Sequence, residues 1–217
     1  FGYYKKNNLV RLNFSRQDLL SNKIISQFII NNDFSKKIEK IIGNKVYLLT
    51  VDAWITLPVP KFKNEYELMT VHEDTQNWHR DVDNLRDLKV MIYLNDVISE
   101  NDGPFEIIEG TNAFNYFSFF NYIDKIKFRV SNKYVLQKYT DKLMTFTGKK
   151  GTCFLVDTRA LHRGKPIKKE KYRIVLQLYY STHLFGKDKK ILLDKRFDSY
   201  ELWKDQISNN KFNSLFY

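Results

Sequence analysis

The chain has 217 residues, of which 43% are hydrophobic, 16% aromatic and 28% charged. That is enough apolar material to bury a core in one domain, and too much for a disordered polymer. The formal net charge of +11 invites an acidic partner, but the lysines fall in short runs such as Lys36-Lys37, Lys149-Lys150 and Lys189-Lys190. Such runs read as a solvated basic face, which makes nucleic acid a poor expectation as partner.

A single cysteine, Cys153, excludes an intrachain disulfide and points to a reducing, cytoplasmic setting. On a predicted strand its default is a small buried residue. No apolar run approaches the roughly 20 residues of a membrane helix, so no membrane partner is expected.

In chain order, residues 15–42 read as helical. Ser15 is placed to cap a stripe formed by Leu19, Leu20, Ile24, Ile25, Phe28 and Ile29. A second short helix begins near Ser35 and stops at Gly43. The period then changes: Lys45 to Leu57 is rich in Val, Tyr, Trp and Thr, and the prolines Pro58 and Pro60 end it as a strand. Further strands are expected over 66–72, 88–94, 105–109, 143–147, 152–157 and 172–181. Turn-forming pieces such as Asn101-Asp102-Gly103-Pro104 separate several of them. Short strands without intervening long helices predict an antiparallel sandwich or barrel, with the leading helices packed on one outer face. Leu88 to Leu94 is apolar at nearly every position and suits a strand covered on both sides. The stretch 113–142, dense in Phe and Tyr, is either an insertion packed on the core or a lid over a site.

The chemistry concentrates at few positions. There are four histidines: His72, His79, His162 and His183. In His79-Arg80-Asp81 an imidazole and a carboxylate lie two residues apart, so at a strand end both project to one side. His72-Glu73-Asp74 offers the same spacing, and the pattern alone does not choose between them. His162 follows a predicted strand and could bring a third ligand. Two histidines and one carboxylate on one face leave metal positions open, the iron(II) facial arrangement. Arg173 lies 173 − 162 = 11 residues beyond His162 and opens a strand on which Val175, Gln177 and Tyr179 share its face. A guanidinium there could clamp a distal carboxylate of a metal-chelating cosubstrate. Gln177 and Tyr179 are then candidates for the pocket wall, and Arg163 could meet an anionic substrate or form an exposed salt bridge.

Residues 76–112 and 148–182 resemble the phytanoyl-CoA dioxygenase-like family of iron(II)/2-oxoglutarate oxygenases. The matching pieces are Trp78-His79-Arg80-Asp81, Leu94-Asn95-Asp96-Val97, Asn101-Asp102-Gly103-Pro104, Glu109-Gly110-Thr111-Asn112, Gly151 through Asp157, Leu161-His162-Arg163-Gly164 and Arg173. The resemblance implies a mainly β, double-stranded β-helix (a cupin-like jelly-roll) with flanking N-terminal helices. It implies that His79, Asp81 and His162 bind Fe(II) and act as the catalytic centre, and that Arg173 binds the C5 carboxylate of 2-oxoglutarate, with O2 as second cosubstrate. Trp78 favours His79 over His72. In two places the chain departs from the family pattern: Gly164 stands where a hydroxyl residue often follows the distal histidine, and Asn112 where a turn usually ends in histidine.

The expected organisation is one oxygenase domain over 1–217: a helical flank (1–45), a jelly-roll core (46–182, with the candidate lid at 113–142) and a C-terminal extension (183–217). The expected reaction couples oxidative decarboxylation of 2-oxoglutarate, releasing succinate and CO2, to hydroxylation of an unactivated C–H bond in a small-molecule or carrier-linked substrate, an anionic one among the options. Two alternatives remain: a non-catalytic cupin-like metal-binding protein, and a basic nucleic-acid-binding module.

Overall fold

Alternation of apolar residues along the strands builds two five-stranded sheets, and a layer of helices covers one of them. The computed structural model describes residues 11–31, 34–58, 76–81, 87–112, 129–168 and 170–182. The first sheet runs β1 (Arg11–Asn13), β2 (Tyr47–Thr56), β10 (Arg173–Ser181), β4 (Asp87–Tyr93), β8 (Cys153–Val156). The second runs β6 (Arg129–Val130), β3 (Trp78–His79), β9 (His162–Gly164), β5 (Phe105–Ile108), β7 (Leu143–Phe146). Every pairing between these strands is antiparallel. The fold is mainly β, as the double-stranded β-helix expectation requires.

Three helices lie between β1 and β2: α1 (Arg16–Ser21), α2 (Lys23–Asn31) and α3 (Phe34–Ile42). The helical stretch expected from Ser15 is broken where Asn22 ends α1. Its side-chain oxygen accepts from the backbone N–H groups of Ile24 and Ile25, so the same residue starts α2. Ser15 caps α1 by accepting from Asp18 N. Gly43 ends α3 with φ 73°, a backbone state that costs glycine little. From these helices Leu19, Leu20, Ile29 and Ile38 bury against Val51, Ala53, Val90, Ile92, Leu176 and Leu178 of the first sheet. Full burial of such side chains stabilises by roughly 1.5–3 kcal/mol each. The opposite face of the same strands turns Trp54, Met91, Tyr93 and Val175 inward, toward Phe105 of the second sheet. Strand β4 is thus covered on both faces, as its run of apolar residues predicts.

The candidate lid divides. Residues 113–128, like the expected strand at 66–72 and the extension at 183–217, lie outside the described residues. Residues 129–142 form β6 and the helix α4 (Asn132–Tyr139) with a short 3-10 turn. Val130 of β6 and Val135 of α4 are buried with Trp78, Ile108 and Leu161, while most of α4 is exposed. The expected burial of Cys153 is overturned: the residue is exposed. Strand β8 is the edge of its sheet, and Cys153 and Leu155 occupy its outward face while Val156 is buried. Among the described residues no helix is long and apolar enough to cross a membrane.

Candidate metal centre

The second sheet places the histidines. His79 on β3 and His162 on β9 are direct cross-strand partners, and their ring centroids lie 4.3 Å apart. Asp81 follows β3 by two residues, and its backbone N–H donates to the Thr158 carbonyl at 2.9 Å. One ligand atom from each of His79, Asp81 and His162 lies within 4.8 Å of the others. The carboxylate faces both imidazoles, with His79 Nε2 3.9 Å from Oδ1 and His162 Nε2 3.7 Å from Oδ2.

Local backbone fixes how the rings present themselves. Nδ1 of His79 is 2.7 Å from the Asn77 carbonyl, and Nδ1 of His162 is 3.0 Å from the Ala160 carbonyl. A carbonyl only accepts, so each Nδ1 carries the proton and each Nε2 offers its lone pair to the centre. Burial pushes the His162 imidazole down to about 3, and His79 beside it adds to this; neutral imidazole is the form that ligates metal. Burial alone would raise the Asp81 carboxyl, but the Lys89 ammonium, with the two imidazoles, outweighs it and holds the group ionised, well below the usual carboxylate range. Two neutral nitrogens and one anionic oxygen converging on a point is a donor set that fits a divalent iron.

The triad opens into a cavity of about 230 Å³ between the two sheets. Its apolar wall is Trp54, Met91, Phe105, Phe154 and Val175, and Phe105 stacks on His162 with centroids 5.5 Å apart. Its polar wall includes Gln177, Lys89, Arg11 and Arg173. Arg173 is 3% exposed although charged. Its Nη2 lies 3.4 Å from the Thr56 hydroxyl across the β2–β10 pair. The guanidinium reaches over to the second sheet, where a Cβ on Gly164 would come within 2.0 Å of Nη2. The missing side chain at 164 is what admits the arginine. The Asn112 departure also has a local use: its amide donates to Asp157 Oδ2 at 2.7 Å.

Not every expected site residue stands where the sequence suggests. Arg173, Val175 and Gln177 line the cavity, but Tyr179, on the same face, does not. Its hydroxyl donates to Asp87 instead, and its ring lies under Lys89. Arg163 is buried, not an exposed partner. It donates to Glu106 Oε2 at 2.7 Å and to Asn132 Oδ1 at 2.8 Å, and it stacks on Trp78. His72 and His183 lie outside the described residues. Lys89, Thr56 and Arg11 were not singled out by sequence. A lysine inside an otherwise apolar strand was the available signal for the first.

Jelly-rolls with this donor set form a class, the iron- and 2-oxoglutarate-dependent oxygenases, and chemistry of that type is what the chain's family indicates. The chain belongs to the phytanoyl-CoA dioxygenase family, matching the family described as Phytanoyl-CoA dioxygenase (PhyH) over residues 5–175. Among solved structures it is similar in fold to HygX from Streptomyces hygroscopicus with nickel and 2-oxoglutarate bound, at 14% identity and TM-score 0.53, covering 82% of this chain and 72% of that one. The apoform of EctD from S. alaskensis matches at 14% identity and TM-score 0.53, over 85% of this chain and 61% of that one. The non-heme alpha ketoglutarate dependent epimerase SnoN from nogalamycin biosynthesis matches at 13% identity and TM-score 0.51, over 80% and 62% respectively. No curated protein sequence matches the chain.

Proposed function

We propose that the protein is an iron(II)- and 2-oxoglutarate-dependent hydroxylase of a small molecule, with His79, Asp81 and His162 as the iron ligands and Arg173 as the anchor of the cosubstrate's distal carboxylate. The observation that supports this reading is that three ligand atoms within 4.8 Å of one another and a buried guanidinium face one cavity. The iron, when bound, would supply the activation of dioxygen and of the keto acid. The chain supplies the rest. Carbonyls of Asn77 and Ala160 hold the imidazoles in the ligating tautomer. Arg173, with the Thr56 hydroxyl beside it, gives a fixed fork for one carboxylate and so sets the direction in which the keto acid lies. Trp54, Met91, Phe105 and Phe154 keep that part of the cavity dry, and Gln177 is the polar group on the wall that a substrate would meet.

Asp81 fills the coordination position a halide would need, which disfavours halogenation and supports hydroxylation as the reading. Epimerisation, the activity named for SnoN, would use the same ligands. The test is iron-dependent succinate formation from 2-oxoglutarate over a panel of small acids, amino-acid derivatives, sugars and acyl thioesters. His162→Ala should abolish it and His72→Ala should leave it largely intact. Loss of activity in the His72 variant with activity retained in the His162 variant would overturn the ligand assignment.

A further inference from the structure

Nothing in the iron and cosubstrate chemistry calls for Lys89, yet a lysine interrupts the apolar strand β4 and is only 7% exposed. A buried ammonium is costly unless it is well paired. Its Nζ meets Oδ2 of Asp81 and lies 4.9 Å from the centroid of the Tyr179 ring. Tyr179 is the cross-strand partner of Lys89 on β10, and its hydroxyl donates to the buried Asp87 carboxylate. The ammonium is therefore held from behind by a tyrosine that is itself anchored.

Asp81 needs such a hold more than the histidines do. Each imidazole is oriented by a hydrogen bond to a carbonyl two residues away. Asp81 lies past the two-residue strand β3, with its side chain 28% exposed. Among the described residues, Lys89 is the one side chain outside the triad that contacts its carboxylate. We propose that Lys89 is a positioning residue for Asp81, seated by Tyr179 and Asp87, and that it sets how firmly the triad retains its metal. The inference rests on the triad being a metal centre. An ammonium that merely stood in the cation's place would instead compete with it, and its removal would tighten metal binding.

The two are separated by titrating the 217-residue chain with Mn(II), and with Fe(II) under anaerobic conditions, by calorimetry, with circular dichroism as a check of folding. Lys89→Met keeps the aliphatic stem and removes the charge. It should weaken metal binding by about 10–100-fold, the usual effect of removing a group that orients a ligand. Lys89→Arg should restore most of that loss. Tyr179→Phe, which keeps the ring and removes the bond to Asp87, should give a smaller weakening; it decides the matter if Lys89→Met does not fold. Unchanged or tighter metal binding by a folded Lys89→Met, or by Tyr179→Phe in its place, overturns the proposal. Failure of the wild type itself to bind either metal would instead overturn the metal-centre reading.

Discussion

Adding one methyl group at Gly164 should disable cosubstrate binding while leaving the metal site intact. The Cβ of Gly164→Ala would fall 2.0 Å from Nη2, 2.7 Å from Cζ and 2.8 Å from Nη1 of Arg173. These are end atoms of a flexible side chain, so the conflict is relieved by displacing the guanidinium, and global stability changes little. Displacement would remove the charge-assisted hydrogen bond proposed between Arg173 and the 2-oxoglutarate carboxylate, worth about 1.5–3 kcal/mol. At about 1.4 kcal/mol per factor of ten, that is a loss of roughly 10- to 100-fold in affinity. Gly164→Ser should behave alike, because the space a hydroxyl would need is already taken by the arginine. The assay is anaerobic titration of the metal-loaded variants with 2-oxoglutarate, read by quenching of tryptophan fluorescence, since Trp54 lines the cavity. Wild-type affinity in a folded Gly164→Ala would refute the reasoning: Arg173 would then not be the clamp, or the guanidinium would not sit against β9.

Arg163→Met should destabilise the chain by about 3 kcal/mol, the lower end for breaking a buried pair, because Lys165 remains 3.2 Å from the Glu106 carboxylate it abandons; chemical denaturation measures this, and a loss below about 1 kcal/mol would show that the pair is dispensable. The metal-free protein should lose stability as pH falls below about 6.5, the ordinary histidine value. The unfolded chain takes up a proton at His162 there, while the buried imidazole refuses it until about pH 3, so stability declines across that window, by up to about 1.4 kcal/mol per pH unit. Thermal unfolding of His162→Gln should show a flatter profile between pH 7 and pH 5, and an unchanged slope would remove His162 as its source.

The parts of the site that could be read from sequence are those whose information is local. His79 and Asp81 lie two residues apart, and Arg173 opens a strand whose alternation is visible. The expected strands within the described residues also correspond to observed ones, because their apolar runs are bounded by turn residues. What could not be read depends on the facing of two sheets. The second sheet carries His79, His162 and Gly164, whereas Lys89, Thr56 and Arg173 come from the first. No periodicity in one strand says that an arginine on β10 will lie against the backbone of β9. That apposition also explains the absent hydroxyl at 164. The chain gives that position no side chain at all, and a hydroxyl approaches the guanidinium instead from Thr56 on the neighbouring strand. Tyr179 shows the same dependence: it shares the inward face of β10 with Arg173, Val175 and Gln177, but the cavity ends before it, where Lys89 from the adjacent strand lies over its ring. Where one face carries both catalytic and supporting residues, alternation identifies the face, and only the side chains opposite decide which residue meets the ligand.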